Sequence, residues 1–351
     1  MEGENKAKTV KRLATLVGCN YAGTHSELRG CINDVRAARD TLVSRFGFAP
    51  GDIAVLTDED RSESGHHRTL LLPTGANIKR ALADMVARAS PGDVLFFHYS
   101  GHGTLVPPRP GHGHGHEESE KDEEAIVPCD FNLITGADLR RVVDMLPQGS
   151  RLTVVSDSCH SGGLIDMEKE QIGPDVFVPD AGESLQRART GRATRRFLPY
   201  SVLLEHLAGV SGMAASEHHA ADHLLALFGV DASAKFHSHG AAQAQAARRD
   251  DGGILLSGCQ SDETSADVPA WDEGGEAEAC GAFSSAVQRV LAAHGAPVSN
   301  RELVARTRAV LAEQGFEGQH PCLYCSDANA DAPFLSQEAA AEEVKTAAAA
   351  L

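Results

Sequence analysis

The chain of 351 residues is 42% hydrophobic and carries a formal net charge of −17, which is apolar material for one large core or two modest ones. Charge of that sign repels phosphate backbones and anionic bilayers, which argues against nucleic-acid and membrane partners. No apolar signal core opens the chain, no run approaches a membrane span, and the eight cysteines are widely scattered; the expectation is a soluble cytoplasmic protein with reduced thiols.

Strand and helix signals alternate through the first half. Residues 13-LATLVGCNY-21 read as a buried strand. In 31-CINDVRAARDTLVSRFG-47, Val35, Ala38, Leu42 and Phe46 share a helical face, and Gly47 stops the helix. Residues 52-DIAVLTD-58 are a second strand. Thr74 caps a helix with its stripe at Ile78, Leu82, Met85, Val86 and Ala89. Pro91-Gly92 breaks it, and 93-DVLFFHYSGHG-103 opens as a third strand. A helix over 135–146 feeds a fourth strand, 151-RLTVVSDSC-159. From Leu164 to Asp251 the pattern dissolves into an Arg-rich patch, a short helical piece and a His cluster at His218 and His219. Order resumes with a strand at 253–259, helices at 281–295 and 299–315, and a short strand at 320–326. The alternation argues a mostly parallel sheet with helices on both faces. Ligands bind such sheets beyond the carboxyl ends of the strands. HYSGHG and SDSCHSGG both fall there.

A cysteine nucleophile needs a thiolate, a nearby base and donors for an oxyanion. Cys159 leaves a strand and enters a turn that Gly162 and Gly163 allow to bend sharply. His102 leaves the neighbouring apolar strand between two glycines, Gly101 and Gly103. His98 and His160 are rival bases: the first reads as packed within the apolar run, and the second is adjacent to Cys159 with its side chain directed elsewhere. The plainer reading of Cys159 is an inert core thiol. Two such motifs at adjacent strand ends favour catalysis.

HYSGHG followed by DSCHSGG resembles the metacaspases, cysteine endopeptidases of the caspase-like clan. The resemblance continues through 125-AIVPCDFNLIT-135, 195-RRFLPYSVLLEHL-207, 253-GILLSGCQSDETSAD-267, 280-CGAFSSAVQ-288 and 319-QHPCLYCSDANADAPF-334. A long linker and no Pro-rich or zinc-finger segment ahead of the catalytic region resemble the type II subgroup. The resemblance implies a caspase/hemoglobinase-like α/β fold, with a sheet of six or more mostly parallel strands between helices. It divides the chain into a catalytic p20-like region (1–165), a linker (166–251), a p10-like region completing the same fold (252–335) and a low-complexity tail (336–351). It implies His102 as general base, Cys159 as nucleophile, and backbone N–H groups near Gly103 and Cys159 as the oxyanion donors.

The family cleaves after Arg or Lys, and its P1 pocket (the pocket for the residue before the scissile bond) maps onto Cys31, Asp34, Ser100 and Asp157. A cationic P1 group needs buried carboxylate to offset its desolvation, and Asp34 and Asp157 supply it by charge-assisted hydrogen bonds. Family members mature by cutting their own linker. Arg187, Arg189, Arg192, Arg195 and Arg196 are the candidates here, with Arg192 or Arg189 favoured. Calcium activation is the family's habit, and the pattern maps onto Glu117, Glu118, Glu120 and Asp138, where the second acidic run is reduced to one residue. Calcium asks for six to eight oxygens. Cys322 and Cys325 form a lone CxxC, read as structural. The expected partners are peptide substrates, with the chain itself a monomer. A catalytically silent scaffold on the same fold, binding rather than cutting proteins, is the competing reading.

Overall fold

The computed structural model describes residues 10–59, 71–108, 122–165, 169–173, 193–237, 252–260, 263–269 and 278–335. Its centre is a seven-stranded sheet in the order β2-β1-β3-β7-β10-β13-β8. The strands are β1 (Arg12–Gly18), β2 (Ile53–Thr57), β3 (Val94–Ser100), β7 (Arg151–Asp157), β8 (Glu170–Ile172), β10 (Gly253–Ser257) and β13 (Cys322–Cys325). β2, β1, β3, β7 and β10 run parallel, and β13 is antiparallel to both its neighbours.

Every residue of β3 is buried, as its unbroken apolar run requires of a strand covered on both faces. Its side chains alternate between two cores. Leu95, Phe97 and Tyr99 pack with Ile78 and Leu82 of α2 (Gly75–Arg88) and Leu139 of α3 (Gly136–Asp144). Val94 and Phe96 pack with Val35 and Leu42 of α1 (Cys31–Ser44) and with Phe283 and Val287 of the helix Ala282–Ala293. β10 and β13, from the far end of the chain, complete the sheet begun by the first half.

The region between Leu164 and Asp251 contributes more than the dissolved pattern suggests. β8 pairs with β13 at the sheet edge. The helices Tyr200–Ser211, Ala220–Phe228 and Ala234–His237 place Leu203, Leu207, Leu224 and Phe236 in the α2/α3 core. Their apolar positions are few and short in sequence, so periodicity alone reveals little of this docking.

Candidate active site

Parallel register builds the site. Ser100, the last residue of β3, pairs with Asp157, the last of β7. His102 and Cys159, each two residues on, therefore leave adjacent strand ends. Gly103 then opens β4 (Gly103–Val106). A Cβ there would lie 1.8 Å from the Cys159 carbonyl oxygen, so only glycine permits this approach. His160 takes a left-handed backbone, φ 51°, uncommon for a side chain of this size and seen where a turn is tightly determined.

A segment of the chain itself lies across these strand ends. β9 (Thr194–Arg195) pairs antiparallel with β11 (Ala266–Val268). The Arg196 N–H donates to the Ser265 carbonyl at 2.9 Å. The Arg196 carbonyl oxygen accepts from the Gly103 N–H at 3.0 Å and the Cys159 N–H at 3.3 Å. Two backbone donors converging on one carbonyl oxygen beside a cysteine form the geometry of an oxyanion hole. Beyond it, Leu198 is buried. Its N–H donates to the Gly103 carbonyl at 2.9 Å, and its carbonyl accepts from Thr104 Oγ1 at 2.8 Å. The Phe197 ring meets the His160 ring edge-on with centroids 4.8 Å apart.

The Arg196 side chain is 0% exposed. Its Nη2 contacts Asp34 Oδ2 at 2.8 Å and Asp267 Oδ1 at 2.8 Å, and its Nη1 lies 3.2 Å from Asp157 Oδ2. Nη1 also donates to Ser100 Oγ at 2.7 Å and to the Asp157 carbonyl at 3.1 Å. The carboxylates are themselves fixed by donors. Ser100 Oγ donates to Asp34 at 2.6 Å, the Gly281 N–H to Asp34 at 2.8 Å and the Ser284 N–H to Asp157 at 2.8 Å. The Arg29 and Gly30 N–H groups hold Asp267 at 2.9 and 3.0 Å. Three carboxylates thus face one guanidinium, and burial pushes Asp34 up to about 6, against the pull of Arg196. Asp34, Ser100 and Asp157 meet here as the resemblance implies. Cys31 is buried at the start of α1, and Arg196 lies close enough to favour its thiolate, though burial holds the thiol well up. Asp267 escaped the sequence reading. It lies within a quoted motif, but nothing in the spacing aims it at Arg196, 71 residues upstream.

His102 is oriented by backbone. Its Nε2 hydrogen bonds to the Ser26 carbonyl at 2.7 Å, and its ring lies 4.8 Å from that of Tyr21. Nδ1 is buried and has no hydrogen-bond partner. A carbonyl carries no side-chain signature, so Ser26 was invisible in the sequence. Burial pushes the His102 imidazole down to about 4, with the bond to Ser26 opposing. Cys159 Sγ accepts the Ser265 N–H at 3.0 Å. A second thiol, Cys259, adjoins it and is held protonated, first by a hydrogen bond with Cys159 and then by burial. His98 lines a small cavity on the other face of the sheet with Leu42, Val155 and Val287, which fits the reading of a packed histidine.

The remaining candidates divide. Arg195 is exposed in β9; Arg187, Arg189 and Arg192 lie outside the described residues. So do Glu117, Glu118 and Glu120. Asp138 is engaged elsewhere. One carboxylate oxygen accepts the Thr135 N–H at 3.1 Å in a capping box, and the other accepts the Ala234 N–H at 3.1 Å. Each oxygen thus carries one backbone N–H bond. Among the described residues no group of three His, Cys, Asp or Glu could hold a metal. None of the described helices is long and apolar enough to cross a membrane. Cys322 and Cys325 are buried in β13, and neither forms a disulfide.

Residues 11–168 match the family model described as metacaspase, peptidase C14 domain. Metacaspase-9 of Arabidopsis thaliana is 51% identical over 93% of this chain and 97% of its own length. Metacaspase-6 of the same plant is 37% identical over 92% and 99%. A solved structure, protein GSU0716 from Geobacter sulfurreducens, superimposes with a TM-score of 0.58 at 18% identity, covering 93% of this chain and 98% of that one. That likeness speaks for the fold. The relatives, matched over nearly their full length, speak for the family: the chain belongs to the metacaspases, cysteine peptidases with a caspase-like fold.

Proposed function

We propose that the chain is an endopeptidase that cuts after Arg or Lys, is made as a latent precursor, and first cuts itself between Arg196 and Phe197. One observation carries this reading: Arg196 fills a three-carboxylate pocket while its carbonyl oxygen accepts two N–H bonds beside Cys159. In the reaction, Cys159 Sγ attacks the Arg196 carbonyl carbon. The Gly103 and Cys159 N–H groups hold the developing oxyanion. His102 takes the thiol proton and passes it to the Phe197 nitrogen as the C–N bond breaks. Water then releases the acyl group. An aspartate at P1 would add a fourth buried negative charge to the pocket and be rejected.

The test compares fluorogenic peptides ending in Arg, Lys or Asp with the intact mass of the protein over time. Hydrolysis after Arg and Lys, with fragments 1–196 and 197–351 appearing, is the expected outcome. Cleavage after Asp, or no cleavage of any peptide, sinks the reading. Calcium enters this proposal only through the acidic run outside the described residues; a chelator that leaves the rate unchanged removes it. Monomeric state belongs to the same reading, because the edge strand on that side, β8, is only 3 residues long and irregularly paired, a poor template for a partner strand.

The depressed His102 pKa has a definite sign. The folded value lies below the ordinary 6.5, so the ring is the neutral base throughout the range above about 4. The rate of self-cleavage should stay flat from pH 7 to about 5 and fall only as the ring protonates near 4. An acid limb centred on 6.5 would mean that the imidazole is solvated during the reaction.

A further inference from the structure

We infer that the same site, if it cuts as proposed above, also makes peptide bonds: it rejoins Arg196 to Phe197 and transfers the Arg196 acyl group to other peptide amines. The argument starts from what holds each side of the scissile bond. On the acyl side, Arg196 is locked by its carboxylates and by β9–β11 pairing. On the amine side, the anchors do not depend on the bond at all. Leu198 is tied to Gly103 and Thr104. Leu203, Leu207, Leu224 and Phe236 are buried in the core. The His206 ring stacks on Phe131 with centroids 3.8 Å apart. Asp138 accepts the Ala234 N–H at 3.1 Å, Asn132 Nδ2 donates to the Asp231 carbonyl at 2.9 Å, and Lys79 Nζ donates to the Ala232 carbonyl at 3.3 Å.

The first half-reaction makes the Cys159 Sγ–carbonyl thioester and frees the Phe197 amine. That amine cannot diffuse away, because the segment behind it stays docked. A group held near the thioester reacts ahead of dilute free nucleophiles, and only an amine in large excess that makes the same contacts competes with it. Water, the competitor, is poorly placed, since Cys159 is 0% exposed. The reverse step balances: the Phe197 nitrogen attacks the thioester carbon, the C–N bond forms, the C–S bond breaks, and His102 returns the amine proton to sulfur. No oxidant, reductant or nucleotide is required. The amines this site accepts are peptides beginning with an aromatic residue followed by an apolar one, with an N–H at the second position to reach the Gly103 carbonyl.

The experiment takes the self-processed protein, kept native, with and without an excess of the tetrapeptide amide that copies residues 197–200 (Phe-Leu-Pro-Tyr). Mass spectrometry follows the intact 37.1 kDa chain and the 1–196 fragment. The expected result is a minor, steady fraction of intact chain re-formed from fully cut protein without peptide, and a 1–196 fragment extended by the tetrapeptide with it. Asn132→Ala removes the bond to the Asp231 carbonyl, loosens the docked segment and should lower the rejoined fraction about fivefold while hydrolysis of an Arg peptide is unchanged. Fragments that stay cut and unextended, in a preparation that still hydrolyses the Arg peptide, overturn the ligation and leave the peptidase. A preparation that hydrolyses nothing overturns the peptidase reading and the ligation with it. Equal rejoining in Asn132→Ala and the parent overturns the anchoring argument.

Discussion

Arg196→Ala should abolish cleavage at this bond and destabilise the uncut protein by about 3–5 kcal/mol. The first effect follows because alanine offers the carboxylates nothing to bind. The second follows because Asp34, Asp157 and Asp267 remain buried and face one another without their cation. For a protein of this size the loss should read as a fall in Tm on the order of 5 °C. The pH dependence has a fixed direction. Burial already raises Asp34 from 3.8 to about 6 with Arg196 present, and removing the guanidinium raises it further. A carboxyl raised in the folded state favours folding at low pH, below its unfolded value, and that benefit is lost as pH rises through the folded one. The deficit of the variant should therefore be largest at neutral pH and shrink below about 4. Thermal melts of parent and variant at pH 4 and pH 7 decide it; equal deficits at both would show that Arg196 acts through packing rather than charge.

Cys159→Ala should lower hydrolysis of an Arg peptide by about 10⁵-fold or more and leave the chain uncut. No other group stands ready to replace the sulfur: the adjoining Cys259 loses its hydrogen bond with Cys159 in the variant, but burial still raises its thiol. Stability should barely move. The deletion removes one N–H contact, from Ser265 at 3.0 Å, worth about 1 kcal/mol, and leaves the oxyanion donors and the carboxylate pocket intact. Activity and Tm measured on the same preparation separate the two. Retained hydrolysis would assign the chemistry to another residue, and collapse of the fold would make the loss of activity uninformative about the nucleophile.

What sequence reveals here follows the range of the forces involved. Local rules suffice for β3, β7 and α2, whose apolar patterns and punctuating Thr74, Pro91 and Gly92 each act over a few residues. They suffice as well for placing the ends of β3 and β7 side by side, because parallel register carries Ser100 and Asp157 to the same edge. They fail for groups recruited over long separations. Asp267 reaches Arg196 only after β10 has joined the sheet, and the Ser26 carbonyl that orients His102 lies 76 residues from it and belongs to backbone. The Arg-rich patch shows the same limit. Five arginines look alike as a string, and only the pairing of β9 with β11 singles out Arg196 for the pocket. Asp138 shows it too: its backbone bonds to Thr135 and Ala234, 3 and 96 residues away, carry no sequence signal for the longer of the two.

In the proposed reaction the residue that plugs the pocket and the residue to be cut are one and the same, and both belong to the molecule that would do the cutting. Maturation is then a first-order event. Its half-life is written into each copy at synthesis and is indifferent to dilution, so a single molecule in a sparse compartment matures as fast as one in a crowd. Encounters between copies add nothing to that clock, and control must come from whatever slows or hastens chemistry inside one chain.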